Sequence, residues 1–383
     1  MSSLPLPSPE AQAHSEQLCR LIHHDIALQG GWIPFSRFME LALYAPGLGY
    51  YSAGSCKLGT AGDFVTAPEI SPLFGRSLAQ QIIEIMAQST PHILELGAGS
   101  GKLAIDVLSE LERQNSLPER YDILEVSADL RARQQALLHE HLPHLANRVH
   151  WLNTLPDSIS GVLIANEVLD ALPVHLVRWT DARIIERGVA SDGTQFVWQE
   201  RLPQIPALHH LAQQISVPDD TLSEISLAAR GLVSSLSARL RQGVLLFIDY
   251  GFGAREYYHP QRNCGTLMCH YRHHAHDDPF FLPGLQDITS HVDFTAVAEA
   301  AIDAELHLYG YTTHAHFLIN CGIIDLLAET DPASVLDYLP LSAQLQKLTS
   351  PAEMGDLFKV IALGKGMAMP LRGFVSGDKS RFL

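Results

Sequence analysis

Apolar and polar positions follow two different patterns along the chain. Residues 9–28, 34–44 and 73–88 have apolar side chains at helical spacing, so each stretch predicts a helix. From residue 92 onward, short apolar runs alternate with helical stretches at 103–114 and 130–141. The apolar runs predict strands at 92–96, 121–126, 149–152, 162–166, 244–250 and 358–363. This alternation favours an α/β fold with a doubly wound, mostly parallel sheet and helices on both faces.

Three regions depart from this rhythm. Residues 45–70 are rich in glycine and lack periodicity, which predicts a long loop of the kind that usually carries function. Residues 254–295 form a second irregular region. The third region begins with antiparallel strands and ends in a helix, predicted at 176–179, 183–188, 194–199 and about 221–241.

These patterns divide the chain into four parts. They are an N-terminal helical region with a Gly-rich active-site loop (1–90), a Rossmann-like core (91–172 and 242–366), an inserted lobe (173–241) and a C-terminal tail (367–383). The inserted lobe is a candidate surface for a partner or for a second copy of the chain. A homodimer is therefore one open arrangement.

Composition excludes several classes of protein. The chain has 383 residues and a formal net charge of −16, so it lacks the basic footprint of a nucleic-acid-binding protein. With 46% hydrophobic residues it can build a core. No apolar run is long enough to span a membrane, and the N-terminus resembles neither a signal nor a transit peptide. Five scattered cysteines favour a reducing compartment, so we expect a cytoplasmic protein.

A glycine-rich turn follows the predicted strand 92–96 and opens a helix. Gly97 and Gly99 fit a dinucleotide fingerprint, but the third small position falls on Lys102 and the next glycine is Gly101. Glu95 precedes the turn, and a carboxylate there is unfavourable beside a pyrophosphate. It is favourable beside the ammonium and sulfonium groups of S-adenosyl-L-methionine, whose own carboxylate suits a helix N-terminus.

Two further strand ends complete the predicted cofactor site. Glu125 ends the next strand, where an acid accepts hydrogen bonds from ribose hydroxyls, and Val126 follows it. NAD and S-adenosyl-L-methionine share that ribose, so Glu125 does not choose between them. Asn166 ends the strand 162–166, where we expect the methionine end of the cofactor. An ordinary tight turn is the alternative interpretation of the glycines.

Four sequence blocks point to a known family. The blocks lie at 49–51 with 62–71 and 74–75, at 95–101, at 166–174, and at 248–251 with 265–267, 283–284 and 286–294. Together they resemble the MidA-like class I methyltransferases over roughly residues 15–366, a family that includes the mitochondrial protein-arginine methyltransferase that assists respiratory complex I assembly. The resemblance implies a Rossmann-like class I methyltransferase fold, S-adenosyl-L-methionine as methyl donor and an arginine-containing protein substrate, by analogy a respiratory complex subunit that becomes symmetrically dimethylated.

An arginine substrate makes a specific chemical demand. A guanidinium group has a pKa above about 12 and is a poor nucleophile, so paired carboxylates must hold it and localise its charge. Glu167 and Asp170 follow the strand 162–166 and are three residues apart, so on a helical turn they would share a face. The alternative is that Asp170 caps a helix and Glu167 is solvated.

Three more residues are candidate catalytic groups. Asp63 and Glu69 lie in the Gly-rich loop and could close over the cofactor, or they serve turn formation alone. His291 is a candidate general base, or an ordinary loop histidine. We predict no metal, because no standard zinc spacing is formed by His270, His273, His274, His276, Cys264 and Cys269.

The hypothesis that these features favour is a methyltransferase acting on a protein arginine. Two alternatives stay open: a dinucleotide-dependent oxidoreductase, and an assembly factor that binds S-adenosyl-L-methionine without catalysis. A methyltransferase for RNA or a small molecule is a third, and the net charge of −16 weighs against RNA.

Overall fold

The alternation of strands and helices that the apolar runs predict is present in the structure. The computed structural model describes residues 4–53, 66–181 and 183–383. Their α-helices are α1 (Pro9–Leu28), α2 (Phe35–Tyr44), α3 (Ala67–Ile70), α4 (Pro72–Met86), α5 (Lys102–Arg113), α6 (Ala128–His141), α7 (Pro206–Gln214), α8 (Leu227–Arg239), α9 (Ala254–Tyr257), α10 (Phe294–Asp303), α11 (His314–Asn320), α12 (Ile323–Ala328), α13 (Val335–Thr349) and α14 (Met354–Leu357).

The strands are numbered in the same way. They are β1 (Trp32–Pro34), β2 (His92–Leu96), β3 (Arg120–Leu124), β4 (Val149–Leu152), β5 (Ile159–Asn166), β6 (His175–Thr180), β7 (Arg183–Ser191), β8 (Phe196–Arg201), β9 (Thr221–Ile225), β10 (Leu240–Phe252), β11 (Met268–Tyr271), β12 (His274–His276), β13 (Asp287–Thr289), β14 (Val292–Asp293), β15 (His307–Thr313) and β16 (Phe358–Lys365).

One unit of the chain contains the parallel sheet. We call it the α/β unit; its described residues are 66–169, 232–251 and 294–383. Its strands lie in the order β15-β16-β10-β5-β2-β3-β4. The five strands from β10 to β4 are parallel, whereas β16 is antiparallel to both β10 and β15. The predicted α/β fold class is therefore confirmed, with an antiparallel edge added to a doubly wound sheet.

The order of the strands locates the expected binding edge. β2 lies between β5 and β3. After β2 the chain adds β3 and β4 on one side of it, and then crosses back to add β5 on the other side. In sheets of this kind, ligands bind at the carboxyl ends of the strands beside that reversal. The core beneath it is apolar and closed, with Phe74, Val107, Ile164 and Leu246 all fully buried.

The second unit is built on antiparallel strands. We call it the antiparallel unit; its described residues are 4–53, 170–181, 183–231 and 252–293. A five-stranded sheet has the order β1-β7-β6-β9, with β8 also paired to β7, and β12-β11-β13 form a smaller sheet. Helices α1 and α2 contribute apolar side chains such as Ile22 and Phe38 to its core. Three segments that are distant in sequence thus share one unit.

Local pattern was misleading at one element of this unit. The helix predicted at about 221–241 begins only at Leu227, because Thr221–Ile225 forms the edge strand β9. β9 pairs antiparallel with β6, and its Glu224 accepts the backbone N–H groups of Thr266 and Leu267 at 2.7 and 2.9 Å. These partners are far away in sequence, so a local window does not contain them. Residues 254–295, expected to be irregular, contain β11 to β14.

Two expectations concern membranes and metals. None of the helices in the described ranges is long and apolar enough to cross a lipid bilayer. In the same ranges, no three His, Cys, Asp or Glu side chains are grouped as a metal site would require.

Two glycines allow the central strands β5 and β10 to approach closely. Gly243 pairs with Gly161 in the parallel register, with φ angles of 129° and 105°. A Cβ atom on Gly243 would lie 1.8 Å from the carbonyl oxygen of Gly161. Any side chain at Gly243 therefore forces the backbones apart.

We expect Gly243→Ala to lower the free energy of unfolding by more than about 3 kcal/mol, because both backbone conformation and packing oppose the methyl group. Urea unfolding of the purified protein measures this. Gly231→Ala in α8 is the control, since a Cβ atom there meets nothing within 4 Å, and it should be neutral or stabilise by up to about 1 kcal/mol. Equal losses in both variants would contradict this account of the sheet.

Candidate active site

The glycine turn lies at the carboxyl end of β2. Gly97, Gly99 and Gly101 have φ angles of 62°, 54° and 88°, all in the left-handed region that glycine adopts at low cost. The N–H of Gly97 donates to the carbonyl of Leu124 at 3.0 Å, which joins the turn to the end of β3. The turn ends at the N-terminus of α5, so its backbone can approach a ligand closely.

Glu125 lies beside this turn and is buried. Its carboxylate accepts the Ser127 N–H at 2.9 Å and the side-chain amide of Gln134 at 3.1 Å. Burial raises the pKa of Glu125, and the hydrogen bond from Ser127 opposes that rise. Val126, the next residue, is 75% exposed, which leaves an apolar surface next to a buried hydrogen-bond acceptor. That pairing suits a nucleoside, with a ribose on the acid and a base on the apolar side chain.

Gln134 was missed by the sequence analysis. Its amide nitrogen donates to the carbonyl of Gly99 at 2.9 Å as well as to Glu125, and the Trp151 indole donates to its amide oxygen at 2.8 Å. Gln134 therefore fixes the turn relative to the buried acid. A glutamine inside a helix carries no local signal of this role.

Glu95 is buried within β2. The hydroxyl of Tyr121 donates to its carboxylate at 2.7 Å. Burial raises the pKa of Glu95 to about 7; the hydrogen bond from Tyr121 opposes that rise, and the charge of Glu125 adds to it. Two neighbouring acids in a desolvated place are destabilised when both are ionised, and a cationic ligand would relieve that repulsion.

Glu69 contacts the glycine turn. It lies on α3, and the Ser100 hydroxyl in the glycine turn donates to its carboxylate. The structure thus places this predicted catalytic residue against the turn. Asp63, the other acid predicted in the Gly-rich loop, lies outside the described residues.

The predicted helical turn after β5 does not form. The structure describes every residue between β5 and β6, and none of them lies in a helix. Glu167, the first of them, has a φ angle of 53°. Such a backbone is uncommon outside glycine and breaks a helix at its first residue. Glu167 and Asp170 therefore share no helical face, and they belong to different units.

Two residues at the end of β5 are joined by a hydrogen bond. The Glu167 carboxylate accepts the Ala67 N–H at 3.3 Å and the Asn166 amide at 3.2 Å. The oxygen of the Asn166 side-chain amide, Oδ1, is buried and has no hydrogen-bond partner among the described residues. A buried polar atom of this kind normally has a partner, so it marks a place for a ligand donor.

Asp170 takes part in an acid cluster of the antiparallel unit, which we define as Asp170, Asp287 and Tyr51. Asp170 and Asp287 are 5% and 2% exposed. The Tyr51 hydroxyl donates to Asp287 at 2.9 Å, and Tyr44 and Tyr50 pack against the Tyr51 ring with centroids 5.6 and 5.0 Å away. Burial raises the pKa of Tyr51 well above its usual value, with the charges of Asp287 and Asp170 adding to the effect.

His291 lies near this cluster along the chain. Its backbone N–H donates to the Thr266 hydroxyl at 3.0 Å, and its ring lies 5.2 Å from the Phe252 ring. The preceding residue, Ser290, donates its N–H to the carbonyl of Asp170 at 3.0 Å. The fold therefore holds the segment with His291 beside Asp170.

The comparisons with known proteins define the class. Residues 75–312 match the Methyltransf_28 family, described as S-adenosyl-L-methionine-dependent methyltransferases. The match covers more than half of the chain, so the protein belongs to this family. The resemblance inferred from the sequence blocks is thereby confirmed, and S-adenosyl-L-methionine is the cofactor. The dinucleotide alternative has no support.

Individual relatives are similar over most of their length. Human "Protein arginine methyltransferase NDUFAF7, mitochondrial" is 30% identical, with 87% of this chain and 80% of that protein covered. The Drosophila melanogaster homolog is 29% identical, with 95% and 89% covered. A COG1565 superfamily member from Burkholderia thailandensis, solved bound to S-adenosyl-homocysteine, is 48% identical, with a TM-score of 0.96 over the whole of both chains.

The raised pKa of Glu95 predicts a pH dependence of stability. An unfolded glutamate has a pKa of 4.5, so the native protein holds this proton more tightly, and stability is lost as pH rises through about 7. Between pH 5 and 8.5 the cofactor-free protein should lose about 2–3 kcal/mol more than Glu95→Gln does. Urea unfolding at both pH values gives the difference. Parallel pH profiles would mean that Glu95 is not desolvated.

Gln134→Ala should weaken binding of S-adenosyl-L-methionine by up to about 30-fold, since it removes the two hydrogen bonds that join Gly99 to Glu125, each contributing roughly 1 kcal/mol. Calorimetric titration below the melting temperature of each variant measures the affinity. Gln135→Ala is the matched control, because Gln135 is the next residue of α6 and its side chain is exposed. If both variants bind like the wild type, Gln134 does not organise the cofactor site.

Proposed function

We propose that this protein transfers a methyl group from S-adenosyl-L-methionine to arginine side chains of a protein, with symmetric dimethylarginine as the product. The names of the relatives support an arginine substrate. The main structural support for this substrate is the acid cluster. The S-adenosyl-homocysteine bound to the Burkholderia thailandensis protein is what remains of this cofactor after methyl transfer, and it supports a catalytic role.

The cofactor is held by the residues at the carboxyl ends of β2, β3 and β5. Gly97, Gly99 and Gly101 admit its methionine part to the backbone, and Glu95 provides the negative charge for its cationic groups. Glu125 would accept the ribose hydroxyls, Val126 would cover the base, and Asn166 Oδ1 would accept a donor from the methionine end. These residues fit the group because they combine a buried orphan acceptor, two buried acids and an exposed apolar side chain.

The acid cluster suits a guanidinium group for three reasons. Two buried carboxylates match its charge and its several N–H donors. The raised pKa of Tyr51 keeps its hydroxyl protonated, so it remains a donor to Asp287 and holds that carboxylate in place. The Tyr44 ring stacks on Tyr51 and the Tyr50 ring meets it edge-on, so this group of rings excludes water and offers π faces to a cation.

The reaction is an in-line displacement. When bound, S-adenosyl-L-methionine supplies an electrophilic methyl group on sulfur. One guanidinium nitrogen forms the new bond to the methyl carbon, the carbon–sulfur bond breaks, and sulfur keeps the electron pair. The nitrogen then loses a proton. We assign Asp170 and Asp287 to hold the guanidinium, and His291 to accept the proton.

Glu69, Glu167 and Asp63 complete the proposed machinery. Glu69 and Glu167 act from the cofactor side, where their contacts with Ser100 and Ala67 fix them. Only two residues, Val168 and Leu169, separate Glu167 from Asp170 in the chain. Asp63 keeps its proposed role from the sequence pattern alone.

Methyl labelling tests this function. Purified protein is incubated with methyl-tritiated S-adenosyl-L-methionine and a lysate of cells that lack it, and the labelled amino acids are separated after hydrolysis. We expect label in methylated arginine. Asp170→Asn and Asp287→Asn should each reduce the rate at least about 10-fold, because a neutral amide no longer balances the guanidinium charge, while cofactor affinity changes by less than about twofold.

Asp277→Asn is the matched control, since Asp277 is an exposed acid of the same unit and loses the same charge. It should label arginine at the wild-type rate. Label in another amino acid, in RNA or in a small molecule would contradict the arginine assignment. Cofactor binding without any label would favour the alternative of a non-catalytic assembly factor.

A further inference from the structure

A groove of about 530 Å³ lies on the antiparallel unit. Its wall contains apolar and polar side chains, among them Ser36, Glu40, Tyr44, Leu172, Pro173 and His175. Neither the cofactor-binding residues nor the acid cluster accounts for this groove. It is large enough for several residues of an extended chain, and a volume of this size is typical of ligand sites.

The groove is continuous with the acid cluster. Tyr44 lines the groove, and its ring stacks on Tyr51, whose hydroxyl donates to Asp287. Leu172 lines the groove as well and follows Asp170 by two residues. A side chain held by the acid cluster therefore has its neighbouring residues at the mouth of the groove.

One polar side chain of the groove, that of His175, is held in place by a buried partner. His175 is almost fully buried, and its Nδ1 lies 2.6 Å from the carboxylate of Glu186, which is buried too. This contact fixes the plane of the ring, and in the tautomer that carries its proton on Nδ1, Glu186 accepts that proton. The other ring nitrogen, Nε2, is the one left for a group that enters the groove. Its lone pair suits a peptide N–H.

The charges at the rim favour a basic occupant. The guanidinium group of Arg37 forms ion pairs with the carboxylates of Asp25, at 3.1 Å, and Glu40, at 2.9 Å. These three charges sum to −1, so the rim presents no uncompensated cation to an acidic ligand. Together with the two acids of the cluster, they suit a polypeptide that carries arginine.

We propose that the groove binds the residues that flank the target arginine in the substrate protein, and that His175 accepts a hydrogen bond from their backbone. This inference rests on the proposed function, because it takes the acid cluster as the place of the arginine side chain. The extended peptide lies along Leu172 and Pro173, and Glu186 acts as a positioning residue through His175. The groove thereby selects which arginine is modified.

Photocross-linking tests the groove without requiring turnover. The probe is a pool of randomised nine-residue peptides with a central arginine and a benzophenone side chain three residues away, and the protein is saturated with S-adenosyl-homocysteine. We expect cross-links on groove residues of the wild type. Ala228→Trp, which places an indole in the groove, should reduce them at least fivefold and leave the affinity for S-adenosyl-homocysteine within twofold.

Ala207→Trp is the matched control, since Ala207 is exposed on α7 of the same unit and does not line the groove. It should cross-link like the wild type. Cross-links spread over other surfaces, or lost equally in both variants, would overturn the proposal. A groove filled by a second copy would also overturn it, and would show as a change of oligomeric state in Ala228→Trp.

The labelling experiment keeps the two proposals apart. Groove cross-links in a protein that labels no arginine would retain the docking site and remove the catalytic assignment. Arginine labelling that Ala228→Trp leaves unchanged, together with scattered cross-links, would remove the docking site alone.

Discussion

Buried carboxylates that accept backbone N–H groups hold the loops that carry the candidate site. Asp249, fully buried at the end of β10, accepts the N–H groups of Val168 and Leu169 at 3.1 and 2.8 Å. In the antiparallel unit, Glu224 does the same for residues 266–267. A hydrogen bond to a charged group contributes about 1.5–3 kcal/mol, and leaving such an acid unsatisfied costs more. These bonds fix the backbone at Val168 and Leu169 in one unit and at Thr266 and Leu267 in the other.

The same physics sets the choice of cofactor. Glu95 and Glu125 are both buried, and burial raises the pKa of both. A pyrophosphate would add negative charge beside two acids that are already costly to ionise. The ammonium and sulfonium groups of S-adenosyl-L-methionine carry the opposite charge, and beside these acids they would favour ionisation. Family membership leads to the same cofactor from an independent direction.

Where the sequence analysis was correct, the signals were local. The central strands β5 and β10 contain long apolar runs, and the turn at Gly97 to Gly101 needs left-handed backbone that glycine alone adopts freely. The errors arose where distant partners overrode a local pattern. Thr221–Ile225 extends because it pairs with β6, and the spacing of Glu167 and Asp170 suggested a helical turn that the φ angle of Glu167 prevents.

The sequence by itself determined the fold class, the family and the cofactor, because the apolar runs, the glycine turn and each family block are local patterns in the chain. Only the tertiary structure brought Tyr51 to Asp287 across 236 residues and Gln134 to Gly99 across 35. It also gave Glu167 the left-handed backbone that prevents a helical turn toward Asp170. Such contacts form when distant elements bury their apolar faces together, and no spacing along the chain records which polar side chains then meet.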